Sequence, residues 1–216
     1  VALTGRVAVV PGLASADLIV VQAGPAGYYV VERTARGVSI DDGARPLGMR
    51  AAGIADLELT GAAGERLEGP DPAPVLLRAR LALGALAVGI GRGALECART
   101  YARERTQFGR PLATFGAIRG YLAEMAVAVE SARRLVLFAA STIEEGGDAP
   151  LAVAQAKFLA AESAVRVSDR AVQIHGGYGY VAEYPAERFY RDAQVPRSIL
   201  TTDDAERARI ADLILA

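Results

Sequence analysis

The chain has 216 residues, room for one large domain or two small ones, and with 52% hydrophobic residues and no Trp its core must be filled by Ala, Val and Leu. Its 24 basic and 25 acidic residues leave a net charge of −1, which gives no basic surface for nucleic acid or an anionic membrane. The single cysteine, Cys97, excludes an internal disulfide framework and makes the cytoplasm the expected compartment; no signal peptide and no apolar run of about 18 residues is read, so no membrane span is expected.

The residues before position 70 alternate short β-rich runs with Gly and Pro turns: Val7–Val10, Leu18–Gln22, Gly27–Glu32, Val38–Asp41 and Asp56–Thr60. Tyr28, Tyr29, Val30 and Val31 have the aromatic and β-branched content of a strand. Five short strands with short links predict an antiparallel sheet over residues 1–70, followed by a punctuated linker at Gly69–Pro74. From residue 74 the apolar residues recur on a helical period. Pro74 to about Arg105 reads as one helix of ~45 Å. Gly84, Gly89, Gly91 and Gly93 would each cost about 1 kcal/mol in an exposed helix, so they predict a buried one approached closely by neighbours. Thr114 is the expected N-cap of a helix over Phe115–Glu145, which Gly146–Gly147 ends. Pro150–His175 is the third helix, and Pro185–Ala193 and Asp203–Ile214 the fourth and fifth. The fold class is therefore α+β, an antiparallel β-domain followed by an up-and-down helical bundle over 74–216.

Two segments carry chemistry. Arg103-Glu104-Arg105-Thr106-Gln107-Phe108-Gly109-Arg110-Pro111 places arginines at a helix C-terminus before a Phe and a Gly turn. A guanidinium grips a pyrophosphate with a planar fork of donors, although a cation at a helix end also serves as a dipole partner. Gln173-Ile174-His175-Gly176-Gly177-Tyr178-Gly179-Tyr180 sets a Gly-Gly turn after a helix, where backbone amides can approach a ligand; the same pair is equally a C-cap. His175, the only histidine, reads as a hydrogen-bonded helix-end residue. No cluster has metal-ligand spacing, and neither a nucleophile elbow, a Walker loop nor a dinucleotide fingerprint occurs.

Together these segments resemble the acyl-CoA dehydrogenase family. The likeness is strongest at Tyr101–Met125 (R-x-x-F-G-x-P-L onward), Ala154–Lys157 and Ala171–Ala193 (Q-x-x-G-G, then E-Y-P and R-D-A). The β-rich part resembles that family's middle domain, entered late, with Thr4-Gly5 and Leu47-Gly48-Met49-Arg50 matching; the family's N-terminal helical domain is not among these residues. The resemblance implies an FAD enzyme that desaturates acyl-CoA thioesters and passes electrons to an electron-transfer flavoprotein. It also implies that the ADP half of FAD crosses to a neighbouring subunit, whose holding residues here are Arg105, Gln107, Phe108, Gln173, Gly176 and Gly177.

Three departures refine this expectation. Counted from Arg191-Asp192-Ala193, Leu200 stands where the family's proton-abstracting Glu belongs, and Ala79 stands at the alternative position on the first long helix. Val9-Val10-Pro11 replaces the stretch whose Thr meets the flavin ring, and Pro11 lacks both hydroxyl and amide hydrogen. No catalytic residue is therefore assigned. The reading is a non-catalytic subunit of a heteromeric, actinobacterial-type enzyme. A homologous catalytic chain (α2β2) supplies the Glu and binds the acyl-CoA, with bulky esters such as steroid side chains one substrate class. Two alternatives stay open: a complete enzyme with a base relocated to Asp203, Asp204 or Glu206, and a flavin-free scaffold of the same fold.

Overall fold

Strand-forming runs occupy roughly the first third of the chain and helical periodicity the rest. The computed structural model describes residues 1–24, 27–43, 45–68 and 73–216, and divides the chain into two compact units, Val1–Asp71 and Pro72–Ala216. The linker expected at Gly69–Pro74 lies outside the described residues up to position 72; Ala73 and Pro74 already belong to a helix.

In the first unit, β1 (Ala2–Val10), β5 (Ala55–Ala63) and β4 (Val38–Asp41) form an antiparallel sheet in the order β1-β5-β4. A second antiparallel sheet has the order β2-β3-β6, from β2 (Leu18–Gln22), β3 (Tyr28–Glu32) and β6 (Glu65–Arg66). The single five-stranded sheet expected from sequence is thus two three-stranded sheets among the described residues. Strand β1 begins five residues early, taking in Thr4 and Gly5, because β5 pairs with it along its length. Along β5, Leu57 and Leu59 point inward while Glu58 and Thr60 face out, the period-two pattern of a one-sided sheet. Leu3, Leu13, Ile19, Val31, Leu57 and Leu59 join both sheets in one core.

The β1–β5 ladder slips between Val7 and Val10. There Val9 has a φ of 59°, which a β-branched residue rarely adopts. The carboxylate of Asp56 on β5 holds the bulge: its Oδ1 accepts from the Val9 amide at 2.9 Å and its Oδ2 from Arg6 at 3.0 Å. The Val9 N–H, then Arg6, holds the Asp56 carboxyl below the usual carboxylate range.

The second unit contains α1 (Ala73–Glu104), α2 (Gly116–Glu145), α3 (Ala149–His175), α4 (Ala186–Ala193) and α5 (Asp203–Leu215). The packed faces carry small residues. On α1 these are Gly84, Ala87, Gly91, Ala94, Ala98 and Ala102, and on α3 Ala152, Ala156, Ala160, Ala164 and Ala171, all buried. A methyl added at Gly84 would lie 3.4 Å from the Lys157 Cα, and one at Gly91 3.5 Å from the Ala164 Cα, so the two backbones approach almost directly. Gly93 faces the Phe189 ring, but Gly89 is exposed and has nothing within 4 Å, contrary to the expectation for that residue. Thr114 does not cap α2 either. Its hydroxyl donates to the Pro111 carbonyl at 2.7 Å inside a preceding turn, and Phe115 occupies the N-cap without a side-chain bond.

By length and composition alone α1 is apolar enough to cross a bilayer, although Arg92 and Glu96 interrupt its apolar run; 11% of its most apolar stretch is buried within this chain. Its Gly- and Ala-lined face packs against α2 and α3 as a bundle helix does.

The C-terminal segment is anchored by buried charge. Lys157, wholly buried on α3, donates to the Thr201 carbonyl at 2.9 Å; the Thr201 hydroxyl donates to Glu206, also wholly buried, whose carboxylate lies 3.8 Å from Arg80. Burial pushes the Lys157 ammonium down, and the Glu206 and Asp203 carboxylates oppose that shift. Arg197 meets the buried Asp203 at 2.5 Å, and Thr202 caps α5 by accepting from the Ala205 amide at 3.2 Å.

Two outcomes follow for stability. Gly91→Ala fits the space and removes the helix penalty of glycine, so it raises stability by about 0.5–1 kcal/mol, whereas Gly91→Leu meets the α3 backbone and lowers it; thermal melting checks both. Lys157→Met leaves the Thr201 carbonyl without its donor and takes a cation away from the Glu206 and Asp203 carboxylates, and costs about 1–3 kcal/mol in urea unfolding. Lys157→Met with Glu206→Gln recovers part of that, and a cost below about 1 kcal/mol contradicts a structural role for the network.

Candidate cofactor-binding site

Helix α1 ends at Glu104, and the chain turns at once into a two-residue hairpin. Strand β7 (Thr106–Gln107) pairs with β8 (Arg110–Pro111) through Phe108 and Gly109. Both turn residues have positive φ, 51° and 77°, as a type I′ hairpin turn requires. Glycine accepts this freely, but a phenylalanine there carries about 1–3 kcal/mol of strain. The Phe108 ring stands 91% exposed at the hairpin tip, with Phe115 edge-on at 6.3 Å. A large ring left in solvent by a strained turn is a surface made for something else to cover.

Helix α3 ends beside this hairpin. At Gly176 the backbone takes φ 59° and ψ −133°, a region essentially reserved for glycine, while its amide donates back to the Gln173 carbonyl. Neither Gly176 nor Gly177 has any atom within 4 Å of where a Cβ would sit, so the space above this turn is open. The two helix ends enclose a cleft of about 540 Å³, lined by Tyr101, Arg105, Gln107, Gly176, Gly177 and Tyr178, with Ile174, His175, Leu112 and Val181 completing its wall.

Arg105 stands at the edge of this cleft, half-buried, its guanidinium 5.3 Å from the centre of the Tyr178 ring. Among the described residues no carboxylate pairs with it, which leaves its charge for a bound anion. Four of the six residues singled out from sequence (Arg105, Gln107, Gly176 and Gly177) therefore line one cleft. Gln173 lies earlier on α3 and Phe108 at the hairpin tip; both are exposed, and neither belongs to the cleft wall. Sequence reasoning did not single out Tyr101 and Tyr178. Their signal was position: Tyr101 one helical turn before Arg105, and Tyr178 directly after the glycine pair. An arginine, an amide-bearing turn with open space above it and flat aromatic surfaces fit a dinucleotide's pyrophosphate and base. Among the described residues no group of three or more His, Cys, Asp or Glu has the geometry to hold a metal ion.

The positions considered for a proton acceptor lie elsewhere. Leu200 is 53% exposed with φ 61°, immediately before the Thr201 that Lys157 anchors. Asp203 and Glu206 are committed to Arg197 and to Thr201, and Asp204 pairs with Arg207 at 2.7 Å on the surface.

Residues 74–215 match the family described as acyl-CoA dehydrogenase, C-terminal domain. The short-chain specific acyl-CoA dehydrogenase of Clostridium acetobutylicum is 36% identical over 196 residues, covering 86% of this chain and 51% of that protein. Among solved structures, butyryl-CoA dehydrogenase from Megasphaera elsdenii superposes with a TM-score of 0.89 at 28% identity, covering 100% of this chain and 60% of that one. The Tcur3481-Tcur3483 steroid ACAD superposes with a TM-score of 0.88 at 32% identity, covering 99% and 59%. The chain thus spans about half the length of such a curated relative and matches the α+β fold of the solved ones over nearly all of its own length. It is a member of the acyl-CoA dehydrogenase family, whose C-terminal helical domain it carries.

Proposed function

We propose that this chain is a subunit of a heteromeric FAD-dependent acyl-CoA dehydrogenase, and that it holds the ADP half of an FAD whose ring is served by a homologous catalytic partner. The observation that carries the reading is the 91% exposed Phe108 at the hairpin tip, together with an Arg105 that no carboxylate pairs among the described residues and an open Gly176–Gly177 turn. Arg105 meets the pyrophosphate with its fork of donors, and the amides of the glycine turn approach it without a Cβ in the way. Gln107 and Gln173 offer amide donors and acceptors at the rim, and Phe108 offers a flat apolar face to the adenine.

The same chain lacks what α,β-desaturation requires locally. Leucine at position 200 accepts no proton, Ala79 likewise, and the buried carboxylates of Asp203 and Glu206 are engaged inside the bundle. In the sheet unit the amide of Val9, the first residue of the stretch aligned with the flavin-contacting one, is taken by Asp56. The partner's Glu would remove the α-proton of the thioester, FAD when bound would supply the hydride acceptor, and the electrons would pass to an electron-transfer flavoprotein. Likeness to a steroid ACAD supports a bulky CoA ester as substrate, an α2β2 assembly fits a pair of unlike homologous chains, and one half-buried thiol fits the cytoplasm.

The test is purification of the full-length polypeptide alone and together with its homologous partner. The expected result is a colourless, inactive chain alone and a yellow, active assembly with one FAD per pair of unlike chains. Tight FAD binding and turnover by the chain alone would favour a complete enzyme, and a colourless product in every combination a flavin-free scaffold; either defeats the proposal.

A further inference from the structure

Within the cleft wall lies a side-chain cluster that joins the two helix ends. His175, 4% exposed at the last position of α3, stacks on Tyr101 of α1 with ring centres 4.1 Å apart and planes 21° from parallel. Its Nδ1 lies 2.7 Å from the Ala171 carbonyl one turn back, an acceptor, so that nitrogen carries the hydrogen. Nε2 is then the acceptor, and the Cys97 thiol, 3.5 Å away on α1, is its donor. The Tyr101 hydroxyl closes the circuit by donating to the His175 carbonyl at 3.4 Å, the carbonyl that opens the Gly176–Gly177 turn. Tyr184 packs edge-on against both rings.

This geometry ties the two halves of the cleft together. Tyr101 stands one turn before Arg105, whose amide donates to the Tyr101 carbonyl at 2.8 Å, and His175 immediately precedes Gly176. The ring pair, with the Tyr101 hydroxyl on the His175 carbonyl, therefore sets the distance between the cation and the glycine amides.

We propose that His175, held neutral between Cys97 and Ala171 and stacked on Tyr101, is the positioning residue that holds the Gly176–Gly177 turn in register with Arg105. The inference rests on the proposed role of that cleft as the ADP-half site. Charge bears on it from several sides. Cys97 and Tyr101 face the imidazole from α1, Tyr184 from the segment before α4, and Tyr178, beneath Arg105, packs on Tyr184; Arg188 of α4 acts on the Cys97 thiol. Burial pushes the His175 imidazole below its ordinary value and the Cys97 thiol above its own, so both are neutral at pH 7. Acid adds a proton at Nε2 and sets two donors against each other, breaking the pair. The depressed imidazole thus contributes order that is present above its ordinary range and lost as pH falls through its folded value.

The test measures FAD affinity of the partner-containing assembly from pH 5.5 to 8, a range in which the cofactor's pyrophosphate diester does not titrate, unlike a phosphate monoester with its second pKa near about 6. Loss of one buried hydrogen bond corresponds to about fivefold in affinity. Cys97→Ala is expected to weaken FAD by about that factor at pH 8, and Cys97→Ser, which keeps a donor for Nε2, to restore it. The unsubstituted assembly weakens toward pH 5.5, and His175→Phe, which keeps a ring on Tyr101, binds weakly with no such pH dependence. Should His175→Phe fail to fold, the Cys97 pair decides. Wild-type affinity in Cys97→Ala, or an unchanged pH profile in His175→Phe, overturns the inference while leaving the FAD site intact. An unsubstituted assembly that binds no FAD removes the functional reading and this inference together.

Discussion

The close passage of α1 over α3 is the constraint on which the rest of the helical unit depends. Gly84 meets Lys157 and Gly91 meets Ala164, two pairs with the same offset in sequence and one seven-residue step apart. A further step brings Ala98 and Ala171 into one buried cluster, and the next brings Arg105 over Tyr178. A parallel pair of helices held in one register by small residues thus delivers its two C-terminal ends to the same place. Larger side chains along this seam would separate the backbones, and the arginine and the glycine turn would part with them.

Two sites show how the helical unit divides fixed structure from open surface. Buried charge at Lys157, Glu206, Asp203 and Arg197 is spent on holding the last helix and the loop before it. Asp203 and Glu206 are held in that network, and the loop before them presents a hydrocarbon, Leu200, to solvent. At the other end of α3 the opposite holds: Arg105 has no carboxylate partner among the described residues, Phe108 stands in solvent, and the turn above the stacked His175 is empty.

Much of this was legible because it is local. Helix ends announced by Gly146–Gly147 and Gly176–Gly177 stand where the glycines stand, and Arg105, Gln107, Gly176 and Gly177 were recognisable from short patterns. What sequence reasoning missed depends on contacts between distant segments. Thr114 has the chemistry of an N-cap, but the Pro111 carbonyl takes its hydroxyl first. The bulge at Val9 exists because Asp56, across the sheet, captures its amide. Short strands do not reveal which sheet they join, so one expected sheet proved to be two. The Tyr101–His175 stack joins residues on separate helices that periodicity treats alone.

The most direct measurement is the FAD dissociation constant of the partner-containing assembly with Arg105→Ala, followed by flavin fluorescence. Removing a charge-assisted contact to a pyrophosphate costs about 1.5–3 kcal/mol, so the account predicts affinity weakened by about 10- to 100-fold. An Arg105→Ala assembly that folds and holds FAD as tightly as the unsubstituted one would contradict it.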